Sequence, residues 1–285
     1  MFFIRLLSYL PLPILYGISD FLFFVSYRLV RYRRKMVWSN LQNAFPEKSH
    51  DELRAVEKAF FKNLCDYAVE MIKLITISKE ELGRRMKFKT PELPEKYAAQ
   101  NQSILILASH QFNWEWLLTA ACFNLPMTID FVYQAVSSQS VNELLLKIRS
   151  RFGAHAIRRD AVARETVKRK NILRAIAIVA DQYPGYEHDK KFSTKFLGQD
   201  TVFFHGANQL AVMMQYPVLY YEMKRVKRGY YETNAIEIAS LPYARNSDVI
   251  TESYVQAVEK VIRENPSGWL WSHNRWKKRH IKTDA

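Results

Sequence analysis

The chain has 285 residues, of which 48% are hydrophobic and 25% charged, and this composition argues against disorder and fits one large globular domain, or a domain with a short appendage, better than several separate domains. Lysine and arginine outnumber aspartate and glutamate by 42 to 28, giving a formal charge of +14, so the expected partners are anionic: phosphates, an acidic protein or a membrane surface. Cys65 and Cys122 have no CxxC spacing and no His/Cys cluster nearby, which argues against a disulfide framework or a zinc site and favours a reducing compartment.

An apolar segment opens the chain, from Phe2 to Tyr27, and the basic run YRLVRYRRK ends it. About twenty apolar residues can cross a bilayer, but two prolines and two charges interrupt the segment, so an amphipathic anchor along the interface is equally open. A buried hydrophobic helix and a cleaved signal peptide are further alternatives, the latter weaker because no small-residue cleavage site is evident. For a membrane segment, the positive-inside rule predicts that its basic flank faces the cytoplasm; this flank comprises Arg28, Arg31, Arg33, Arg34 and Lys35.

Helical and strand-like patterns alternate through the rest of the chain. Two helices broken at Pro46 are followed by a short edge strand in RRMKFKT and by SILILAS, an apolar run typical of a central strand buried on both faces. The last two strand-like runs, joined by VKRGY, predict a hairpin at one sheet edge. We therefore predict an α/β fold at residues 36–285, with a central mixed, largely parallel sheet flanked by helices, and an N-terminal membrane anchor with its basic flank at residues 1–35.

His110 and Glu115 follow the apolar run directly, in the stretch LASHQFNWEW. Residues five apart lie about 140° apart around a helix, so the two cannot share a helix face. If the strand ends near Ser109, however, His110 lies in a loop, Asn113 caps the next helix and Glu115 falls in its first turn. A carboxylate bonded to one imidazole nitrogen would leave the other free to take a proton from a hydroxyl. The alternative is an ordinary loop histidine beside a helix-start carboxylate.

Other parts of the sequence narrow the chemistry. Asp181 ends the apolar run IVAD, at the sheet edge where His110 should lie if the two strands are parallel. A nucleophilic serine is disfavoured because the chain has no G-x-S-x-G elbow, and the glycine patterns of phosphate-binding loops are also missing. No metal site is predicted, because the remaining histidines lack metal-ligand spacing; the candidates considered are His155, His188, His205, His273 and His280.

Six sequence blocks in order resemble the late acyltransferases of lipid A biosynthesis, within the bacterial lysophospholipid-acyltransferase-like family. They are NLQNAFPEKS, SHQFNWE with its H-x4-D/E signature, IRSRFG, ADQYP, FLGQDTVFFHG and NPSGWLWSHNRWKKR. The resemblance implies an enzyme of lipopolysaccharide biosynthesis in the cell inner membrane, with its catalytic domain on the cytoplasmic side. It also implies transfer of a fatty acyl chain from an acyl carrier protein thioester to a hydroxyl of a lipid A precursor, with no further cofactor.

The resemblance assigns a role to each residue of the signature. His110 would be the general base and Glu115 its orienting partner, and the hydroxyl would attack the thioester with no covalent acyl-enzyme. The oxyanion would be stabilised by backbone N–H groups at the helix start near Asn113, or by the guanidinium of Arg149 or Arg151. Asn113 and Asp181 are expected to support the site.

A cluster of arginines follows the signature. Forked guanidiniums suit the phosphates of a lipid or of phosphopantetheine, and the family blocks favour this role for Arg149, Arg151 and Arg164. For Arg158 and Arg159 a phosphate site and a solvated basic helix face are equally open.

The acceptor is the least determined part of this interpretation. Members of the family often carry Tyr-Arg-Pro where this chain reads Tyr133-Gln134-Ala135, so another lipid or glycolipid hydroxyl is an alternative acceptor. The donor is an acyl carrier protein, with coenzyme A left open, and aromatic side chains near the site could line a tunnel that measures the acyl chain. A catalytically silent membrane protein that binds anionic lipid or nucleic acid remains the alternative from another class; nucleic acid is not among the partners of the preferred interpretation.

Overall fold

The computed structural model describes residues 2–186 and 189–277. The helices are α1 (Phe2–Ser8), α2 (Leu12–Phe23), α3 (Arg34–Ala44), α4 (His50–Lys73), α5 (Lys79–Arg85), α6 (Glu92–Ala99), α7 (Trp114–Asn124), α8 (Gln139–Arg149), α9 (Val162–Lys168), α10 (Gly206–Met214) and α11 (Val249–Glu264). The strands are β1 (Met86–Phe88), β2 (Ile104–Ala108), β3 (Thr128–Tyr133), β4 (His155–Arg158), β5 (Arg174–Val179), β6 (Lys191–Phe196), β7 (Gln199–Phe204), β8 (Val218–Lys227) and β9 (Tyr230–Ala239).

Seven of these strands form one sheet in the order β1-β9-β8-β2-β5-β3-β4. Every neighbouring pair is parallel except β8 and β9, which form an antiparallel hairpin. The predicted α/β fold with a mixed, largely parallel sheet is confirmed, and so is the short edge strand β1. The predicted position of the hairpin at the edge is wrong, because β1 pairs in parallel with β9 and covers it.

The central strand β2 explains why both faces of the sheet are covered. All five of its residues are buried, and alternate side chains of a strand point to opposite faces. Leu105 and Leu107 belong to the apolar cluster that includes α10 and α11, whereas Ile104 and Ile106 belong to the cluster that includes α7. A continuous apolar run is therefore what a strand with helices on both faces requires.

A second, two-stranded sheet pairs β6 with β7. The residues of β6, KFSTKF, alternate between exposed and partly or fully buried positions. Three of its six residues are exposed, so the strand lacks the long apolar run that marks the strands of the main sheet.

The N-terminal segment packs on the domain through polar contacts as well as apolar ones. Ser19 of α2 donates to Asp66 of α4 over 2.7 Å, and Arg228 bridges Asp20 at 2.7 Å and Asp66 at 2.6 Å. From the basic flank, Arg34 forms an ion pair with the buried Glu57 at 3.2 Å. This part of the chain is therefore held against α4 by charged partners.

The same segment also presents apolar side chains to the outside. Among the described residues, the helical stretch Leu12–Leu29 is the one long and apolar enough to cross a membrane, with a mean hydropathy of 1.3 over 18 residues. Its exposed side chains and those of α1 include Phe3, Leu6, Ile14, Phe21 and Phe24. One apolar N-terminal helix is thus available as a membrane anchor, while the division of the chain at residue 35 stays a prediction.

Candidate active site

The loop that carries His110 begins where the central strand ends. β2 and β5 are parallel neighbours with Ala108 paired to Val179, so the residues that follow them emerge at the same edge of the sheet. His110 and Asp181 each lie two positions beyond that pair. The parallel register therefore brings an imidazole and a carboxylate together, at the edge where the sequence analysis expects them.

Asp181 holds His110 by two hydrogen bonds. Nδ1 of the imidazole lies 2.6 Å from Oδ1 of Asp181, and the backbone N–H of His110 donates to Oδ2 over 3.0 Å. An ionised carboxylate only accepts, so Nδ1 carries the hydrogen and Nε2 is the basic nitrogen. None of the described residues forms a hydrogen bond with Nε2. The histidine is thus fixed in one tautomer with one nitrogen available.

The carboxylate of Asp181 is buried, with 1% of its surface exposed. Burial alone would raise its pKa, but the charge of His110, together with hydrogen bonds from His110 and from the indole of Trp269, outweighs burial and lowers the pKa below its usual value. The indole Nε1 of Trp269 donates over 2.7 Å. Asp181 is therefore an anionic hydrogen-bond partner for the imidazole of His110.

Residues 268–270, near the C-terminus, form backbone hydrogen bonds with the loop that carries His110. The backbone N–H of Phe112 donates to the carbonyl of Gly268 over 2.8 Å, and that of Leu270 donates to the carbonyl of His110 over 3.1 Å. A Cβ on Gly268 would lie 2.5 Å from the ring of Phe112, so only glycine permits this approach. The position of His110 therefore depends on residues more than 150 positions later in the chain.

Glu115 does not contact His110 through a hydrogen bond, and its predicted role as the orienting partner is corrected here. Arg149, in the last turn of α8, donates two hydrogen bonds to the carboxylate of Glu115, from Nε to Oε2 over 2.8 Å and from Nη2 to Oε1 over 2.5 Å. The indole of Trp114 also donates to it, over 3.2 Å. Asp181 already occupies Nδ1 of His110, and Glu115 faces the arginine instead.

The ion pair between Glu115 and Arg149 lies in surroundings of low polarity. The side chains are 2% and 20% exposed, respectively. Burial alone would lower the pKa of Arg149, but the hydrogen bonds and charge of Glu115 outweigh burial and raise it. A bidentate pair of this kind fixes the plane of the guanidinium. Both residues line the same cavity as His110.

Asn113 caps α7 as predicted, and its side chain also reaches α4. Its Oδ1 accepts from the backbone N–H of Trp116 over 3.0 Å, and its Nδ2 donates to Glu70 over 2.7 Å. Glu70 is fully buried and also accepts from the hydroxyls of Tyr16 and Tyr231. Burial raises the pKa of Glu70 from 4.5 to about 7, against the hydrogen bonds from Asn113, Tyr16 and Tyr231. The start of α7 is thereby tied to α4 and to the N-terminal helix.

Two of the predicted site arginines lie elsewhere. Arg151 donates to the carbonyls of Leu74 and Ile77 over 3.0 and 2.6 Å, so its guanidinium satisfies backbone groups that follow α4 and does not line the cavity. Arg164 is 82% exposed on α9 and lies 3.9 Å from Glu165. The structure places neither guanidinium at this cavity, because Arg151 binds carbonyls after a helix end and Arg164 faces solvent.

The cavity itself has a volume of about 770 Å³. His110, Glu115 and Arg149 provide polar groups at its wall, and the remaining lining is mostly apolar. Side chains of β3, α7, β1 and β8 contribute to this lining, among them Phe88, Leu117, Leu118, Ala121, Ile129, Phe131 and Tyr221. The size and the few convergent polar groups are typical of a site for an apolar ligand.

Arg159, for which the sequence leaves two interpretations open, lies at this cavity. It forms an ion pair with Asp189, and its Nη1 donates to Oε1 of Gln134 over 3.1 Å. Its guanidinium lies over the rings of Tyr186 and Phe204, at 5.2 and 4.6 Å from their centroids. A cationic group is therefore adjacent to Gln134 at the cavity wall.

The sequence analysis missed two further residues at the site, Trp269 and His273. His273 lines the cavity and accepts from the backbone N–H of Tyr183 over 3.2 Å; burial lowers its pKa to about 4, so it is neutral. Both residues lie in the block NPSGWLWSHNRWKKR, and that membership is the one signal that could have indicated them. In residues 2–186 and 189–277 no group of three His, Cys, Asp or Glu side chains could hold a metal ion; His188 and His280 lie outside these ranges.

Taken together, a carboxylate-bound histidine, an oriented arginine and an apolar cavity at the carboxyl edge of a parallel sheet define a class of α/β protein suited to group transfer onto or from an apolar chain. Comparison with protein families identifies the class more narrowly. The family model for bacterial lipid A biosynthesis acyltransferases matches residues 1–278. The chain belongs to this family and is an acyltransferase with a lipid acceptor. No match was found among curated proteins.

Proposed function

We propose that the protein is a membrane-bound O-acyltransferase that moves a fatty acyl chain from an acyl carrier protein thioester to a hydroxyl of a lipid A precursor. Family membership supports lipid A biosynthesis and acyl transfer. The donor, the hydroxyl and the residue roles are the additions made here. The observation that carries the residue roles is the 2.6 Å contact from Asp181 to Nδ1 of His110, which leaves Nε2 as a base at the wall of an apolar cavity.

His110 acts as the general base in this proposal. Its Nε2 takes the proton of the acceptor hydroxyl while the oxygen attacks the thioester carbonyl, and the tetrahedral intermediate then expels the thiolate, which receives the proton from the imidazolium. Asp181 holds the tautomer and stabilises the imidazolium that forms. A base of this kind contributes about 10² to 10⁴ in rate. Ser109 is not used as a nucleophile: it is 5% exposed and hydrogen-bonded to Tyr220 at 3.1 Å.

Arg149 stabilises the negative charge that develops on the carbonyl oxygen. Two of its nitrogens are held by Glu115, which leaves Nη1 as a donor fixed in direction. Glu115 is then a positioning residue that acts through Arg149 and also balances its charge in a buried setting. Backbone N–H groups at the start of α7 are the other candidates for this role.

The apolar cavity receives the acyl chain of the donor. Each buried methylene contributes about 0.8 kcal/mol, so the apolar lining of a cavity of about 770 Å³ favours the chain length that fills it. Carrier protein binding is supported by the formal charge of +14, because the sequence favours an acidic partner.

The membrane setting follows from the N-terminal segment. Its exposed apolar side chains and basic flank suit the interface of the cell inner membrane, with the catalytic domain on the cytoplasmic side. There the lipid acceptor and a cytoplasmic donor can reach the same site.

One observation favours a second acceptor class, another lipid or glycolipid. Gln134 stands where the family often carries arginine, and it hydrogen-bonds both Arg159 and the hydroxyl of Tyr186, at 3.1 and 3.0 Å. The polar groups at the cavity mouth therefore differ from the family pattern.

The experiment supplies purified membranes with acyl carrier protein thioester and a panel of acceptors, lipid A precursors and other lipids, and identifies products by mass spectrometry. The expected product is an acceptor that has gained one acyl ester. His110→Ala should abolish it while the protein stays folded and membrane-bound. The proposal is wrong if no lipid hydroxyl is acylated, or if the alanine variant gives product at the wild-type rate.

A further inference from the structure

A second cavity, of about 640 Å³, opens beside the first at the carboxyl edge of β3 and β4. Its lining is mostly apolar and comes from α9, α10 and the end of β7, including Val162, Ala163, Phe204, Leu210 and Met213. Met213 is 51% exposed, so its side chain is accessible to a ligand in this cavity. The function proposed above does not use this cavity.

The two cavities share a wall. Six residues line both of them: Tyr133, Gln134, Ala135, Arg159, Tyr186 and Phe204. Arg159 is the centre of this wall, because it contacts two aromatic rings and is held by Gln134 and Asp189. A molecule that occupies the second cavity therefore reaches the first by crossing one layer of side chains.

We infer that the second cavity binds an alkyl chain of the acceptor lipid, while its headgroup crosses the wall near Arg159 and presents the hydroxyl to His110. This inference rests on the proposed function. The donor chain fills the first cavity in the proposed function, so an acceptor alkyl chain that leaves the bilayer needs a separate apolar site to keep its surface out of water. The second cavity exposes more apolar than polar surface, shares lining residues with the first and opens at the same sheet edge, and its charged lining residues are Arg158, Arg159, Asp160, Asp189 and Lys190.

Ala163→Trp tests the inference by filling the second cavity. Ala163 is exposed on α9 and lines only this cavity, so the indole can enter without disturbing the core. Val167→Trp is the matched control, because Val167 is 48% exposed on the same helix and lines neither cavity. Circular dichroism and thermal unfolding verify that both variants fold.

The first readout is steady-state kinetics with the full-length protein in detergent. Ala163→Trp should raise KM for the acceptor lipid about 10-fold, equivalent to about 1.4 kcal/mol, with kcat and KM for the thioester unchanged. The same variant should have no effect on an acceptor headgroup that lacks alkyl chains. Val167→Trp should match the wild type with both acceptors.

The second readout does not depend on catalysis. A lysophosphatidic acid with a diazirine at the end of its acyl chain should label peptides that contain Val162 or Met213, and Ala163→Trp but not Val167→Trp should remove this label. Labelling confined to the first cavity, for example at Leu118 and Phe131, would overturn the inference, as would equal labelling in the two variants. If the wild type labels as expected but acylates no lipid, the proposed function fails and the cavity assignment stands. If it acylates lipid but the two tryptophan variants have equal KM and labelling, the cavity assignment fails alone.

Discussion

The Nδ1 atom of His110 lies 2.6 Å from Oδ1 of Asp181, although the two residues are 71 positions apart in the chain. The same carboxylate accepts from the indole of Trp269 and from the backbone N–H of His110. The two acidic residues of the site, Asp181 and Glu115, therefore have different partners. Asp181 serves the histidine, and Glu115 serves Arg149.

Replacing Trp269 by phenylalanine should move the loss of kcat/KM at low pH to a higher pH. The indole helps to lower the pKa of Asp181, so in Trp269→Phe that pKa rises and the carboxylate becomes protonated at higher pH. Activity, present while the carboxylate is ionised, is then lost earlier as pH falls. We expect kcat/KM of the variant, relative to wild type, to drop further at pH 5 than at pH 7.

The control for this profile is Trp276→Phe. Trp276 is another C-terminal tryptophan, but it is only partly buried and its indole nitrogen has no hydrogen-bond partner among the described residues. Its profile should parallel the wild type. If the pH dependence of kcat/KM shifted equally in both variants, the cause would be lost packing and not the lost hydrogen bond to Asp181.

A double-mutant cycle should show that the losses of kcat caused by changing Glu115 and Arg149 are not additive, because the two residues act together. Arg149→Lys should lower kcat by about 10² to 10³, the range for loss of one oxyanion donor, because lysine cannot reproduce the forked contact. Glu115→Gln should give a loss of similar size, and the double variant should lose little more than either. Losses that multiply would contradict the account. Arg164→Ala, on the exposed face of α9, should leave kcat unchanged.

The buried carboxyl of Glu70 should make the fold less stable as pH rises. Its pKa in the folded protein is raised from 4.5 to about 7, so between these values the folded state holds a proton that the unfolded state releases. Stability should therefore fall with rising pH across that window, by up to about 1.4 kcal/mol per pH unit. Glu70→Gln removes this contribution, so thermal unfolding at pH 5 and pH 7 should show a smaller decline for the variant. A decline equal to that of the wild type would mean that Glu70 does not titrate there.

Filling the first cavity should shorten the preferred acyl chain. Leu118 is partly buried and lines the cavity from α7, and Leu118→Trp displaces part of the volume available to the chain. Each methylene that loses its place costs about 0.8 kcal/mol, or about 4-fold in kcat/KM. Competition between thioesters of different length should show preference for a shorter chain, with Val167→Trp unchanged. An unaltered preference would exclude this cavity as the acyl site.

Much of the fold follows from local pattern. The run SILILAS predicts β2 because five consecutive buried residues need cover on both faces, and Asn113 predicts the helix start because its side chain can cap a free N–H. Asp181 is predicted at the correct edge because parallel strands end together. These inferences need only the strand period, the cap and the direction of neighbouring strands.

The rest depends on contacts between distant parts of the chain. Spacing cannot decide whether His110 pairs with Glu115 or with Asp181, because the choice is made by the position of Arg149 on α8 and of Trp269 near the C-terminus. Contacts between distant residues also explain why Arg151 lies away from the cavity. Its guanidinium donates to the backbone carbonyls of Leu74 and Ile77. The interior position of the β8–β9 hairpin likewise follows from the pairing of β9 with β1, more than 140 residues away in the chain.

The most direct test of the central claim is the kcat of Asp181→Asn, measured with saturating acyl carrier protein thioester and lipid acceptor. Asparagine keeps the shape of the side chain but removes the charge that holds the imidazole and stabilises its protonated form. The account predicts a fall in kcat of about 10² to 10⁴ with little change in either KM, and no change for Asp200→Asn, an exposed aspartate on β7. An Asp181→Asn variant that folds and turns over at the wild-type rate would contradict it.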